Sequence, residues 1–166
     1  MNLYLVRHCE ALPIGGAILR DAERPLSAPG EHDAALIGRF LAMAEPTAHQ
    51  VLCSPLVRAR RSAEILAAQL PARPPVVPLK VLEPGIVRRD LLAEVSARGD
   101  GSLILVAHQP DLAELLTWLV ADGEMDVAFP TGAVASVRFA ANPAPGGARL
   151  QWMVTPSLVS LLRPDW

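Results

Sequence analysis

The sequence predicts an α/β fold: a three-layer α/β/α sandwich with a mostly parallel, mixed central sheet closed by a C-terminal hairpin. Short apolar runs alternate with segments whose apolar residues recur at helical spacing, which is typical of helices packed on a parallel sheet. Near the end this alternation stops, because the apolar runs Ala133 to Phe139 and Leu150 to Val154 flank a Pro/Gly-rich loop, Asn142 to Gly147. That pattern indicates a hairpin, so the sheet is expected to be mixed.

The length indicates one domain, residues 1–166, because a chain of this size can bury a core without support from a metal or a disulfide. With 51% hydrophobic and 19% charged residues, the chain is expected to be globular rather than disordered. A net charge of −2 and a pI near 6.1 give no general attraction to nucleic acid or to an anionic membrane surface, so neither is expected as a partner. The sequence shows no signal peptide and no apolar stretch long enough to span a membrane, which predicts a soluble, cytoplasmic protein.

The first strand is predicted from the run Leu3 to Val6, which breaks directly into Arg7 and His8. A run of that length, bounded by charge, is typical of a strand buried on both faces. Ligands of open α/β sheets bind outside the carboxyl ends of the strands, so Arg7 and His8 stand where such a fold carries its site. An arginine beside a histidine there suggests a phosphate site, although a surface pair ending a strand would have the same sequence.

The next elements bring a second arginine to the same edge. The stretch from Cys9 to Leu26 shows no period and is predicted to be a loop over that edge, and Ser27 is a plausible N-cap for a first helix. Gln50 to Cys53 is predicted as a second strand, and a helix starts after Ser54-Pro55. Arg58 falls in the first turn of that helix, where free N–H groups and the helix dipole favour an anion.

Two further strands complete the parallel part of the sheet. Val76 to Val81 predicts a short strand, and Ser102 to Ala107 is the clearest buried strand in the chain. His108 stands at the carboxyl end of this strand, as His8 stands at the end of the first. Pro110 fits the first turn of the helix that follows. The inward faces of the third and fourth helices are predicted to carry Leu91, Leu92 and Val95, and Leu112, Leu115, Leu116 and Leu119, respectively.

Four motifs in order carry a family resemblance: LYLVRHCEA, RPLSAPG, LCSPLVRARRSAEIL and LILVAHQP. Together they resemble the histidine phosphatase (phosphoglycerate mutase-like) superfamily, and the short chain looks most like its small SixA-type phosphohistidine phosphatase branch. The resemblance implies that His8 is the nucleophile that accepts the phosphoryl group. It further implies that Arg7 and Arg58 bind the phosphoryl oxygens and that His108 completes the pocket. Arg24, the arginine of RPLSAPG, is a further candidate for substrate binding, and no cofactor is expected.

The chemistry of these side chains agrees with those roles. Phosphoryl transfer needs positioning and stabilisation of negative charge on three equatorial oxygens, which forked guanidinium groups provide without a metal ion. Two nearby arginines disfavour an imidazolium, so His8 is expected to be neutral near pH 7 and able to attack phosphorus. His108 can donate a hydrogen bond to a phosphoryl oxygen, and it is expected to become charged readily once the dianion is bound.

Several positions depart from the pattern of the resembled family. Cys9 stands where a small residue is usual; its thiol, beside two arginines, could be partly ionised, or it could be a packed small side chain, as expected for Cys53. Arg61 and Ser62 replace the usual glutamine and threonine, which means little if Arg61 points into solvent. Gln109 replaces the usual asparagine, a mild change.

Glu83 raises the question of a general acid. Larger phosphatases of the superfamily use a loop carboxylate to protonate an alkoxide leaving group, whereas the SixA-type branch lacks one, which suits an imidazole leaving group. Glu83 precedes Pro84-Gly85 in a predicted turn. It is either such an acid or an exposed turn residue.

The sequence thus predicts a metal-independent phosphatase that acts through phosphorylated His8 on phosphohistidine in a protein, such as a phosphotransfer domain. Two alternatives stay open: a small-molecule phosphomonoesterase of the same superfamily, and a phosphate-sensing module without turnover. The complete set of two arginines and two histidines argues against the module, because a module would need no nucleophile. The expected partner is a phosphohistidine-containing protein or a small phosphorylated substrate.

Overall fold

The elements of the chain are those of an α/β sandwich. The structure is a computed structural model and describes residues 1–44, 47–123, 125–140 and 143–166. The strands are β1 (Asn2–Arg7), β2 (Ala48–Cys53), β3 (Val76–Pro78), β4 (Ser102–Ala107), β5 (Val134–Phe139) and β6 (Ala148–Val154). The helices are α1 (Ala28–Ala44), α2 (Val57–Gln69), α3 (Arg88–Ser96), α4 (Asp111–Ala121) and α5 (Pro156–Leu162). None of the helices in these ranges is long and apolar enough to cross a membrane.

The sheet is mixed, as predicted. Its strand order is β3-β2-β4-β1-β5-β6. Strands β1 to β4 pair in parallel, whereas β5 is antiparallel to both β1 and β6. The last two strands are the predicted hairpin, and they extend the sheet at one edge. Asn142, where the predicted hairpin loop begins, lies outside the described residues.

Two helix layers cover the sheet because side chains alternate between the faces of each buried strand. On β1, Leu3 and Leu5 pack with α3 and α4, whereas Tyr4 and Val6 pack with α1, α2 and α5. All six residues of β4 are buried, which explains its continuous apolar sequence. The inward residues predicted for α3 and α4 are all buried. The predicted three-layer sandwich is therefore confirmed.

Strands β2 and β6 each start two residues earlier than predicted, and two elements differ more from the sequence prediction. Strand β3 ends at Pro78 rather than at Val81, and Lys80–Leu82 forms a 3-10 turn instead. The neighbouring strand β2 stops at Cys53, so a longer β3 would have no partner. Helix α5 was not predicted, although its start is well marked: Thr155 Oγ1 accepts a hydrogen bond from the Leu158 N–H at 3.2 Å, and a proline follows in the first turn.

The position of β1 beside β4 in the middle of the sheet decides where the site lies. The two strands are in register, with Arg7 opposite Ala107. The His8 N–H donates to the Ala107 carbonyl oxygen at 3.0 Å, so the pairing continues one residue past β1. Consequently His8 and His108 leave the sheet side by side at its carboxyl edge.

Candidate active site

Three side chains at the ends of β1 and β4 form one side of a crevice, which we call the floor. Arg7 is the last residue of β1, His8 follows it, and His108 follows β4. The ring centroids of His8 and His108 lie 5.0 Å apart. The sequence predicts that the two histidines lie close together, because each follows a buried strand, and the structure brings the two rings together.

Arg58 reaches the crevice from helix α2 and lies beside the floor. It is the second residue of that helix, as predicted, and it is buried. Its Nε donates to Nε2 of His8 at 3.1 Å. Ser62, one turn further along α2, fixes this approach, because its hydroxyl donates to the Arg58 carbonyl oxygen (2.8 Å) and accepts from the Cys9 N–H (3.1 Å). The backbone after His8 is therefore tied directly to the helix that carries Arg58.

The hydrogen bonds of His8 set its tautomer. Nδ1 lies 2.7 Å from the Cys9 carbonyl oxygen, which can only accept, so Nδ1 carries the proton and the lone pair of Nε2 accepts the hydrogen bond from Arg58. Burial is the main cause that lowers the pKa of His8 to about 4; the bond to Cys9 opposes it, and the charges of Arg58 and Arg7 add to it. His8 is therefore neutral near pH 7, as expected, although burial has a larger effect than the arginines.

His108 and Arg7 bring unsatisfied polar atoms to the crevice. Both ring nitrogens of His108 and Nε of Arg7 are buried without a hydrogen-bond partner among the residues described. Arg7 is held through Nη1, which donates to the Phe129 carbonyl oxygen at 2.9 Å. Burial, followed by the electrostatic effects of His8 and Arg58, lowers the pKa of His108 to about 3. Buried polar groups normally have partners, so this cluster indicates a ligand with several acceptor oxygens.

The loop over the crevice supplies two residues that we call the wall, Asp21 and Arg24. Asp21 opens a 3-10 turn, and its carboxylate bridges two arginines: Oδ1 accepts from Arg24 Nη1 (3.1 Å) and Oδ2 from Arg58 Nη2 (3.0 Å). Arg24 also donates to the carbonyl oxygens of Leu12 (2.6 Å) and Ala11 (3.2 Å). Sequence reasoning did not identify Asp21. The one signal was the run of charged residues from Arg20 to Arg24, which follows an uncharged stretch of the loop, residues 11–19.

The crevice has a volume of about 410 Å³ and is bounded by the floor, Arg58, the wall and Pro84. Glu83 is not among its lining residues; it lines a neighbouring depression together with Lys80 and Asp90. Within the described ranges, no group of three or more histidine, cysteine, aspartate or glutamate side chains is arranged to hold a metal ion. Besides arginine, histidine and the Asp21 carboxylate, the crevice is lined by Glu10, Gln109 and Thr131. Its three arginines and two histidines suit the binding of an oxyanion.

The positions that depart from the family pattern have structural explanations. Cys9 is buried, and burial raises the pKa of its thiol to about 12, so the hypothesis of a partly ionised thiol is wrong. Cys53 is likewise a buried free cysteine. Arg61 is exposed and pairs with Glu31 at 2.7 Å. Oε1 of Gln109 accepts a hydrogen bond from the Ala113 N–H at 3.0 Å, which satisfies a backbone donor in the first turn of α4.

Comparison with known proteins agrees with this geometry. Residues 3–83 match the family model described as histidine phosphatase superfamily (branch 1). An uncharacterized protein of Picosynechococcus sp. is 34% identical over 100% of this chain and 98% of its own length. Phosphohistidine phosphatase SixA of Escherichia coli (strain K12) is 28% identical over 94% of each chain. The structure of the protein histidine phosphatase SixA complexed with tungstate matches with a TM-score of 0.83 at 26% identity, covering 96% of this chain and 99% of that one.

Proposed function

Since this chain belongs to the histidine phosphatase superfamily, whose enzymes are phosphatases, we propose that it hydrolyses phosphohistidine in a protein, such as a phosphotransfer domain. The reaction passes through a covalent intermediate on Nε2 of His8. One observation carries the proposal: this nitrogen of a neutral histidine lies 3.1 Å from Arg58 Nε, in a crevice where nitrogens of His108 and Arg7 are buried without partners within the described chain. A nucleophile surrounded by unsatisfied donors suits a phosphoryl group.

In the first step, the Arg58 Nε–H turns from His8 Nε2 to a phosphoryl oxygen, and the lone pair of Nε2 so released attacks phosphorus while the P–N bond of the substrate breaks. The electron pair of that bond leaves on the substrate imidazole, which takes up a proton from solvent. The His8 ring acquires positive charge, which the Cys9 carbonyl oxygen stabilises through the Nδ1 proton.

In the second step, water attacks the phosphorus of phospho-His8 and the P–Nε2 bond breaks. The electron pair returns to the ring, the proton of the water passes to solvent, and orthophosphate is released with His8 again neutral. The covalent intermediate divides one difficult displacement into two in-line displacements at the same phosphorus atom.

Arg7, Arg58 and His108 are proposed to hold the three non-bridging oxygens. Their N–H groups offset the negative charge that spreads over these oxygens in the transition state. A bound dianion also raises the pKa of His108 from its low value in the free protein, so its ring becomes a better donor once substrate is present. Since side chains supply this positive charge, turnover is proposed to need no metal ion or other cofactor.

The leaving group favours phosphohistidine over an alkyl monoester. An alkoxide needs a positioned general acid, which contributes about 10²–10⁴ in rate, whereas an imidazole leaves without one. Glu83 lies in the neighbouring depression rather than in the crevice. A relative named for phosphohistidine hydrolysis, 28% identical over 94% of this chain, supports the same choice.

The test measures orthophosphate release from a phosphorylated phosphotransfer protein and from a panel of phosphomonoesters that includes sugar phosphates, all with chelator present. We expect the higher kcat/KM for phosphohistidine and no effect of the chelator. Faster hydrolysis of a sugar phosphate would favour the small-molecule phosphomonoesterase, and phosphate binding without turnover would favour the sensing module. Loss of activity with chelator would contradict metal independence.

A further inference from the structure

Each nitrogen of the Arg58 guanidinium is engaged in the free protein. Nε donates to His8 Nε2 (3.1 Å), Nη1 donates to the Asp21 carbonyl oxygen (2.8 Å), and Nη2 donates to the Asp21 carboxylate (3.0 Å). A guanidinium is planar and carries five N–H groups. These contacts use three of the five, so one N–H is left on each terminal nitrogen.

The contacts divide this guanidinium into two edges. Its terminal edge faces Asp21, and the edge that contains Nε faces His8. Because the group is planar, fixing both terminal nitrogens also fixes the direction of the Nε–H bond. One of the two remaining N–H groups lies on the same edge as Nε, so a phosphoryl group on His8 Nε2 would meet two donors there.

We propose that Asp21 is a positioning residue that holds Arg58 so that its Nε edge faces the phosphoryl group on His8. This assignment rests on the proposed function of His8. Arg24 holds Asp21 in place, because its Nη1 donates to Oδ1, the carboxylate oxygen that does not bind Arg58, at 3.1 Å. The other contacts of Arg24 go to backbone carbonyl oxygens of the loop. Arg24, a substrate-binding candidate from the sequence, is thereby assigned to holding the wall.

The opposite role for Asp21 would be that of a competitor, a carboxylate that takes the place of the phosphoryl oxygens on Arg58. The backbone argues against this role, because Arg58 donates to the main-chain carbonyl oxygen of Asp21 in addition to its carboxylate. An incoming anion could therefore free Arg58 only by moving the whole turn. That turn is closed by hydrogen bonds from the Glu23 N–H to the Arg20 carbonyl oxygen (3.1 Å) and from the Arg24 N–H to that of Asp21 (3.3 Å).

Asp21 is charged under the conditions of the reaction. Burial raises the pKa of its carboxyl group, but the hydrogen bond from Arg24 and the charge and hydrogen bond of Arg58 outweigh burial, and the pKa is lowered. Hydrogen bonds between charged partners are stronger and more directional than neutral ones. An ionised Asp21 therefore holds the Arg58 fork more firmly than an amide in its place would.

The test replaces Asp21 by asparagine and by alanine, with Glu31→Gln as the matched control. Glu31 also pairs with an arginine of α2, Arg61 at 2.7 Å, but outside the crevice. We expect single-turnover formation of the phosphoenzyme to slow about tenfold for asparagine and about a hundredfold for alanine. The control should change it less than about twofold. Circular dichroism of each variant checks that the fold is intact.

A double-mutant cycle separates positioning from a purely structural role of the loop. If Asp21 acts through Arg58, then Asp21→Ala made in an Arg58→Ala background should change the rate less than about twofold. A loss of equal size in both backgrounds would overturn the assignment. Tungstate inhibition gives a second readout: its inhibition constant should rise in Asp21→Ala, whereas a constant that falls or stays the same would contradict positioning.

The wild-type protein distinguishes a failure of this inference from a failure of the proposed function. If the wild type forms a phosphoenzyme and the Asp21 variants form it equally fast, only the positioning role is overturned. If the wild type forms none, the proposed function fails. In that case the dissociation constant of tungstate is measured for the wild type and for Asp21→Ala in place of the inhibition constant. This comparison still decides whether Asp21 orients Arg58 for an oxyanion.

Discussion

The floor and the wall of the crevice are built from different kinds of structure. Arg7 ends β1, and His8 and His108 directly follow β1 and β4, two central strands that are paired up to the last residue. The floor presents buried nitrogens without partners within the described chain. The wall, Asp21 and Arg24, stands on a loop whose regular structure is one 3-10 turn and isolated bridges. The wall side chains are 53% and 26% exposed, and they are paired with each other.

This difference separates the residues that react with or bind the phosphoryl group from the residues that orient them. A paired strand end holds a histidine in place and buries it, and burial keeps the ring neutral so that it can act as a nucleophile. An exposed loop cannot do this, but it can reach across the crevice to a side chain from another element, Arg58 on α2. Substitutions in the floor should therefore abolish the reaction, and substitutions in the wall should slow it.

Removal of the nucleophile is expected to have the largest effect. His8→Ala should lower kcat/KM for phosphohistidine by at least about 10⁴-fold, because the lone pair that attacks phosphorus is gone. Steady-state phosphate release measures the loss. His32→Ala, which removes an exposed histidine of α1, should behave as the wild type does. Near-normal turnover by His8→Ala would refute the covalent mechanism.

Arg58 tests the junction between floor and wall. Arg58→Lys keeps the charge but loses the planar group whose two edges face His8 and Asp21. We expect kcat to fall by about a hundredfold. Arg60→Lys, on an exposed position of the same helix, is the control and should leave kcat unchanged. Unaltered kinetics in Arg58→Lys would place Arg58 outside the reaction.

The floor could be predicted from the sequence, whereas in the wall only Arg24 was a candidate, for substrate binding, and Asp21 was not identified. His8 and His108 each end an apolar run, and Arg58 falls at a helix start, so local pattern and the rules of parallel sheets bring them to one edge. The contact between Asp21 and Arg58 joins residues 37 positions apart through a loop without a period, so no spacing indicates it. The same holds for the pKa of His8. That it is lowered could be predicted from the neighbouring arginines, but the main cause is burial, which depends on the packing of the whole fold.

The buried histidines of the floor make the protein less stable in mild acid. Their pKa values in the folded state, about 4 for His8 and about 3 for His108, lie below the ordinary value of 6.5. The unfolded chain therefore binds more protons between about pH 6.5 and 4, so the free energy of unfolding falls as the pH is lowered through that range. Each histidine contributes up to about 1.4 kcal/mol per pH unit.

Urea denaturation at pH 7 and pH 5 checks this expectation. His108→Gln removes one of the two titrating rings, so the variant should lose less free energy of unfolding between the two pH values than the wild type loses. The comparison uses the change with pH within each protein, so a constant cost of the substitution cancels. Equal losses in the two proteins would mean that His108 is not held neutral by burial.

Glu83 lies outside both the floor and the wall, and its replacement is expected to have the smallest effect. Glu83→Gln should change turnover of phosphohistidine by less than about threefold, because the imidazole leaves without a positioned acid. Phosphate release from phosphohistidine and from a sugar phosphate, measured in parallel, makes the check. If the substitution selectively removes hydrolysis of the sugar phosphate, Glu83 is the general acid and the small-molecule function replaces the one proposed.

Direct detection of the intermediate tests the central claim, that the floor provides a histidine nucleophile. Wild-type protein is mixed in excess with a substrate that carries labelled phosphohistidine, the reaction is stopped with alkali, and the labelled residue is identified by mass spectrometry. The label should be found on His8, survive alkali, be lost in acid, and be absent from His8→Ala. Turnover without label on His8, or label on another residue of the wild type, would contradict the mechanism.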